Sequence, residues 1–142
     1  MNIIKRNGRG NKYNPNKILK RAKDAGKKYD ISEDLISRIV IDTQSFLFDG
    51  ITSRQVDEYL AKTMQGYNIE DPNLDFAAGH IMLTSLDKDI EEIDYLSNPI
   101  FLSEFKEKFA SFKRPEDIEV EMTYFAVITF INEFSLKYNK KP

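Results

Sequence analysis

Four amphipathic segments lie between residues 14 and 94 of this 142-residue chain, and they constrain its fold more than any other feature. Each segment carries apolar residues at helical spacing, which predicts a helix with one buried face. The predicted helices begin at Asn14-Pro15, Ser32, Thr52 and Asp71-Pro72. Because only short connections separate them, the four helices are expected to pack as a bundle.

Local signals also predict where these helices end. Asn14 is a capping residue followed by proline, and the Thr52-x-x-Gln55 spacing is typical of a capping box. The predicted ends are Gly26 for the first helix, Asp49-Gly50 for the second, Gly66 for the third and about Asp94 for the fourth. The second helix is thereby expected to include Phe46 and Leu47.

Short extended segments flank the first and third helices. Residues 2–6 and 9–13 surround Asn7-Gly8, a pair that favours a tight hairpin turn because both residues tolerate positive φ. Ile51 is predicted to add an edge strand. The expected fold is therefore mainly α (α+β), a four-helix bundle capped by a small β-hairpin or three-stranded sheet.

The last fifty residues have a different pattern. Asn98-Pro99 interrupts the chain, 100–112 carries phenylalanines on one stripe, and 116–138 includes an apolar run whose length favours helix over strand. These residues predict C-terminal helices. The expected division is a domain at 1–92 and a helical extension at 93–142 that serves docking or oligomerisation.

Charge is concentrated at the N-terminal end. Residues 1–28 contain ten Lys or Arg and one acidic residue, Asp24, whereas the whole chain has a net charge of −2. The remaining 114 residues therefore carry a net charge of −11. Cations gathered around a tight turn and a helix N-terminus indicate a phosphate-binding site.

Composition disfavours most catalytic chemistry. The chain has no cysteine and one histidine, His80, which excludes thiol catalysis and thiolate zinc sites and disfavours histidine-based triads. It has no apolar run of membrane-spanning length and no secretory signal at its start, so a cytoplasmic protein is expected. The composition favours binding and regulation, and we expect no enzymatic activity.

Several motifs resemble the ATP-cone, a regulatory nucleotide-binding domain of ribonucleotide reductase large subunits and of their transcriptional repressor. The opening of the family pattern is K-R-D-G-R followed by F-D-x-x-K-I. This chain has a similar opening, Ile4-Lys5-Arg6-Asn7-Gly8-Arg9 followed by Tyr13-Asn14-Pro15-x-Lys17-Ile18. Two later blocks agree in order, Gly50-Ile51-Thr52-Ser53-x-x-x-Asp57 and Pro72-x-Leu74-x-Phe76-Ala77-Ala78-Gly79-His80-Ile81. The resemblance covers residues 1 to about 92.

The resemblance implies a set of nucleotide-binding residues. Basic residues near the turn and on the helices would contact phosphates or base, the segment before the first helix would wrap the nucleotide, and Ser53 and Asp57 would contact base and ribose. The full set is Lys5, Arg6, Arg9, Asn11, Lys12, Tyr13, Asn14, Pro15, Asn16, Lys17, Ser53, Asp57 and Lys88.

The implied ligand is ATP or dATP, and the sequence leaves open whether Mg²⁺ accompanies it. The implied role is allosteric control of ribonucleotide reductase catalytic subunits through assembly with them or self-association. Without cysteine the chain is not expected to reduce ribonucleotides itself, so it would be a free-standing regulatory domain or a separated piece of a split subunit. Two alternatives remain: a nucleic-acid-binding regulator that uses the basic N-terminal face, and a structural partner subunit with a degenerate cone.

Overall fold

The first strands of the chain form a hairpin. The computed structural model describes residues 1–5, 8–92, 123–129 and 132. Within it, β1 (Asn2–Ile4) pairs antiparallel with β2 (Gly10–Lys12), and β3 (Ile51–Thr52) pairs parallel with β1 on its other side. The strand order is therefore β2-β1-β3, which confirms the predicted three-stranded sheet.

The hairpin turn has the backbone geometry that its glycine predicts. Gly8 has a φ of +83°, a conformation that costs little without a Cβ atom. The Gly8 amide donates to the Lys5 carbonyl at 2.9 Å, and the Lys5 amide donates to the Arg9 carbonyl at 2.9 Å. These bonds place Lys5 and Arg9 opposite each other where the hairpin strands meet the turn.

Four long helices make up most of the described chain. They are α1 (Pro15–Lys28), α2 (Glu33–Gln44), α3 (Ser53–Gly66) and α4 (Leu74–Glu92). The predicted capping box at the start of α3 is present: the Thr52 hydroxyl accepts from the Gln55 amide at 3.1 Å, and the Gln55 side chain accepts from the Thr52 amide at 3.0 Å. Side-chain caps of this kind satisfy amide groups that the helix itself leaves unpaired.

The predicted end of α1 at Gly26 is wrong. The helix continues to Lys28, and Gly26 is buried where α1 packs against α2. A Cβ atom at Gly26 would lie 2.8 Å from the Ile36 Cδ1 atom. The glycine therefore permits a close approach of two helices, and Asp30, with a φ of +58°, is the residue that turns the chain after α1.

The predicted extension of α2 through Phe46 and Leu47 is also wrong. The helix ends at Gln44, after which the Phe46 amide donates to the Thr43 carbonyl and the Leu47 amide to the Gln44 carbonyl, a tighter pattern than that of an α-helix. The Phe46 ring then stacks on Tyr59 of α3, with ring centroids 6.1 Å apart. Phe46 therefore contacts α3 instead of continuing α2.

All four helices contribute to one hydrophobic core. Its side chains with little or no exposure include Ile18, Ala22, Ile36, Ile39, Leu60, Met64, Leu74, Ala78 and Ile81. Full burial of a Leu or Ile side chain stabilises a fold by roughly 1.5–3 kcal/mol. This core holds the faces of α1, α3 and α4 in fixed positions relative to one another.

A short helical segment from the C-terminal part of the chain, residues 124–129, packs against the same core. Val127 is fully buried within it. The Tyr124 amide donates to the Asp75 carboxylate at 3.1 Å, and the Ala126 amide donates to the Thr123 hydroxyl at 3.3 Å, so the segment has a capped start tied to α4. The predicted helix at 100–112 lies outside the described residues, and the docking or oligomerisation role of 93–142 stays a prediction.

Candidate functional site

The hairpin and the connection to α1 supply one wall of a candidate binding site. Ile3 pairs with Asn11 across the two strands, and Lys12 ends β2. The Tyr13 amide donates to the Met1 carbonyl at 3.0 Å, which holds the chain against the sheet as it leaves β2. The short strands thereby place Lys5, Asn11 and Lys12 beside the start of α1.

The N-terminus of α1 has no acidic residue to offset its dipole. The Asn14 side chain accepts from the Asn16 amide at 3.0 Å, Pro15 is the first helical residue, and Lys17 lies in the first turn. A helix N-terminus carries partial positive charge, so a lysine there is unfavourable by itself. An anion bound at this position would interact favourably with the helix and with Lys17.

Helices α3 and α4 supply the opposite wall. Ser53 is the first residue of α3, where its hydroxyl makes a long 3.5 Å hydrogen bond to the Ile4 carbonyl of the sheet. Asp57 follows one helical turn later and is buried, with 4% of its surface exposed. Lys88 lies in the last part of α4 and is exposed.

These walls enclose a cavity of about 470 Å³. This volume lies within the range of small-molecule binding sites. Its lining combines the apolar side chains Ile3, Ile18 and Val56 with many polar and charged ones. The others are Lys5, Asn11, Lys12, Tyr13, Asn14, Lys17, Lys20, Arg21, Asp24, Ser53, Asp57 and Lys88.

The cavity is strongly electropositive. Its lining has six cationic side chains and two carboxylates, a net formal charge of +4. In the part of the chain that the structure describes, the four lysines from the hairpin and α1 have no side-chain hydrogen bond or ion pair. They are Lys5, Lys12, Lys17 and Lys20. Like charges held together without counterions favour an anionic ligand.

Arg21 and Asp57 form a partly buried ion pair at the cavity. The Arg21 Nε atom donates to the Asp57 Oδ1 atom at 2.5 Å, and the carboxylate side chain is only 6% exposed. The Arg21 Nη2 atom donates to the Ile81 carbonyl and to the Thr84 hydroxyl, each at 2.8 Å. One guanidinium therefore links α1, α3 and α4 beneath the cavity.

A family model described as the ATP cone domain matches residues 1–89. The matched range contains the whole sheet and every residue of α1, α3 and α4 that lines the cavity. The chain belongs to the ATP-cone family. A search of curated proteins found no match to the chain.

The ATP-cone is a nucleotide-binding allosteric regulatory domain, and it regulates rather than catalyses. This agrees with the features of the cavity, which offers lysines and a helix N-terminus to an anion. The predicted membership and the predicted mainly α fold with a small sheet are both confirmed.

The structure of the cone brings nine of the thirteen predicted site residues to the cavity. They are Lys5, Asn11, Lys12, Tyr13, Asn14, Lys17, Ser53, Asp57 and Lys88. Three further predicted residues that the structure describes do not line the cavity: Arg9, Pro15 and Asn16. Two of these, Pro15 and Asn16, belong to the first turn of α1. Arg6 lies outside the described residues. The nucleotide contacts themselves stay predictions.

The sequence interpretation missed several cavity residues of the cone. The charged ones are Lys20, Arg21 and Asp24, and the apolar ones are Ile3, Ile18 and Val56. Arg21 could have been found from spacing, because it lies four residues after Lys17 and residues at that spacing share a helix face. Its pairing with Asp57 joins positions 36 residues apart, which local sequence does not indicate.

The cone and the described part of the C-terminal region offer neither a metal site nor a membrane-spanning helix. Among these residues, no three His, Asp or Glu side chains are grouped so that they could hold a metal ion. Within the same residues, no helix is both long enough and apolar enough to cross a bilayer.

Proposed function

We propose that this ATP-cone binds ATP or dATP in the cavity between the hairpin, α1, α3 and α4. Binding would act as an allosteric signal, as in the ribonucleotide reductase domain that the sequence resembles. The signal would change how the chain assembles with catalytic subunits or with copies of itself. No bond is made or broken in the cavity.

The observation that carries this proposal is the group of lysines without ion-pair partners around the start of α1. Lys5, Lys12 and Lys17 approach the cavity from the hairpin and from the first helical turn. Charge-assisted hydrogen bonds to phosphate are about twice as strong as neutral ones. A triphosphate at this position would offset both the lysine charges and the helix dipole.

The polar groups elsewhere in the cavity suit a nucleoside. In this proposal Ser53 and Asp57 contact the base and the ribose, the segment 11–16 wraps the nucleotide, and Lys88 adds a cation from α4. The Tyr13 hydroxyl supports a polar ligand nearby, because it is buried in the described structure without a hydrogen-bond partner. A buried polar group left unpaired costs about 1–3 kcal/mol, so a new partner would be stabilising.

Regulation requires a difference in affinity between assembly states. A nucleotide shifts an assembly equilibrium only by the amount that it binds one state more tightly than the other. ATP and dATP differ by one ribose hydroxyl, so a response specific to one of them would come from contacts at the sugar end of the cavity. We propose that these contacts set the direction of the signal.

Calorimetry and light scattering on the whole chain test the proposal. The chain is titrated with ATP and with dATP, with and without Mg²⁺, and its mass is then measured with no ligand and with each nucleotide. We expect saturable binding of an adenine nucleotide and a change in mass with one of the two. Absence of binding at millimolar nucleotide would contradict the proposal and favour a structural partner whose cone has lost its ligand.

A further inference from the structure

Arg21 occupies an unusual position among the cations of the cavity. It lies on α1 one turn after Lys17, and its side chain is 19% exposed where it lines the cavity. It donates to Asp57 of α3 and to the Ile81 carbonyl and Thr84 hydroxyl of α4, two helices that pack in the same core as α1. The guanidinium is therefore held in one orientation before any ligand arrives.

This fixed guanidinium has donors left over. Arginine has five N–H donors, and the three bonds to Asp57, Ile81 and Thr84 involve only the Nε and Nη2 atoms. The Nη1 atom has no hydrogen-bond partner among the residues that the structure describes. Since Arg21 lines the cavity, this atom is the part of the side chain that remains for a ligand.

Charge indicates which end of a nucleotide Arg21 contacts. The positive charge of Arg21 is balanced by the Asp57 carboxylate at 2.5 Å, and a phosphate beside them would be repelled by that carboxylate. Lys5, Lys12 and Lys17 have no such partner among the described residues. Phosphates are therefore drawn to the lysines, and the neutral Arg21–Asp57 pair is left for an uncharged group.

The chemistry of the pair fits a nucleoside. A carboxylate that accepts and a guanidinium that donates, held side by side, complement a ligand that presents a donor next to an acceptor. The ribose hydroxyls and the polar edge of adenine both do so. Ile18 and Val56 also line the cavity and offer apolar contact to a ligand.

We propose that Arg21 is a nucleoside-recognition residue, which donates from Nη1 to the base or sugar while Asp57 holds it in place. This inference rests on the proposed function, because it assigns one end of the nucleotide bound there. It divides the cavity into two parts: the lysines bind the phosphates, and the Arg21–Asp57 pair contacts the nucleoside.

Titrations with ATP, dATP and inorganic tripolyphosphate test this division. Arg21→Lys keeps the charge opposite Asp57 but loses the planar set of donors. We expect it to weaken ATP binding about tenfold and to leave tripolyphosphate binding within about twofold. Lys17→Met is expected to weaken both ligands. Arg38→Lys, which alters an arginine of α2 outside the cavity, is the matched control and is expected to change neither.

Comparing ATP with dATP also distinguishes a contact of Arg21 with the base from one with the sugar. If Nη1 contacts the 2′-hydroxyl, Arg21→Lys weakens ATP more than dATP, and if it contacts the base, both weaken equally. Arg21→Gln combined with Asp57→Asn removes both charges together, so it avoids leaving a buried carboxylate unpaired if the single variant does not fold. This double variant is also expected to lose ATP affinity and to keep tripolyphosphate affinity.

Three results would overturn the inference. One is an equal loss of ATP and tripolyphosphate binding in Arg21→Lys, which would make Arg21 a phosphate contact. Another is unchanged ATP binding, which would make the pair purely structural. The third is a wild-type chain that binds ATP but not tripolyphosphate. A wild-type chain that binds no adenine nucleotide would instead overturn the proposed function itself.

Discussion

The charges of the cavity and those on the outer surface of α2 and α3 are arranged in opposite ways. On the outer surface, the Arg38 guanidinium donates to the Glu70 carboxylate at 2.7 Å and lies 5.7 Å from the centre of the Tyr67 ring. The Tyr67 hydroxyl in turn donates to Asp42. Arg38, Glu70 and Asp42 there each have a partner from the chain itself.

In the cavity, Lys5, Lys12 and Lys17 have no such partners among the described residues. Holding three cations near a helix N-terminus is unfavourable in the absence of an anion. The comparison shows that these cavity lysines, unlike Arg38, are gathered at one helix N-terminus without a carboxylate partner among the described residues.

The largest effect is expected from removing two of the cavity lysines. Lys5→Met combined with Lys17→Met should weaken ATP binding about 100-fold, since each charge-assisted bond to phosphate contributes about 1.5 kcal/mol or more. Calorimetry measures the affinity. Thermal unfolding without ligand should be unchanged or shifted to higher temperature, because Lys17 opposes the dipole of α1.

Arg38→Met is the matched control, since it removes a cation that has its own partner outside the cavity. It should leave ATP affinity unchanged. If Arg38→Met weakened binding as much as the lysine variants, the contrast between the two surfaces would have no functional meaning.

Gly26→Ala tests the packing that holds α1 against α2. The new Cβ atom would lie 2.8 Å from the Ile36 side chain, so that buried side chain or the helices must shift, and we expect a loss of about 1–3 kcal/mol in the free energy of unfolding. Denaturant unfolding measures it. Gly66→Ala has nothing within 4 Å of its new atom and should leave stability unchanged or slightly higher. Equal effects of the two substitutions would contradict the close-approach role of Gly26.

Val127→Ala tests whether the C-terminal segment belongs to the core formed by the helices that support the cavity. Val127 is fully buried, so the free energy of unfolding should fall by about 1–2 kcal/mol. Phe125→Ala, at a position that is 62% exposed two residues away, should have little effect. ATP affinity of the folded protein should be unchanged in both. An unaltered stability of Val127→Ala would show that residues 124–129 do not belong to the core in solution.

The smallest effect concerns Tyr67 on the outer surface. Its hydrogen bond to Asp42 raises the pKa of the Tyr67 phenol above its usual value, because the bond exists only in the protonated form. Subtracting the ultraviolet titration of Tyr67→Phe from that of the wild type isolates this group. Asp42→Asn should lower the pKa toward the usual value for tyrosine. The stabilising bond is present below the phenol pKa of the unfolded chain and is lost as pH rises through the folded value.

The elements of the fold were predictable because their signals are local. The hairpin at Gly8, the cap at Asn14 and the capping box of Thr52 and Gln55 each depend on residues a few positions apart. Gly26 was misread for the same reason. A glycine near the end of a helical pattern usually ends the helix, and only its contact with Ile36 shows otherwise.

The cavity was predictable in outline and not in detail. The charge concentration and the family motifs indicated Lys5, Lys17 and Ser53, all of which line it. Arg21 was missed, because its importance arises from partners on α3 and α4 that are 36 to 63 residues away. Which of several lysines on one helix remain unpaired also depends on the tertiary structure.

The most direct test of the central claim is to map bound ATP on the chain by nuclear magnetic resonance. Amide resonances are followed as ATP is added to the isotopically labelled wild-type protein. We predict that the largest shifts fall on cavity residues, including Asn11, Asn14 and Ser53, while Ile41 and Glu70 on the outer surface stay unchanged. Shifts concentrated on that outer surface, or no shifts at saturating ATP, would contradict the assignment of the cavity as the nucleotide site.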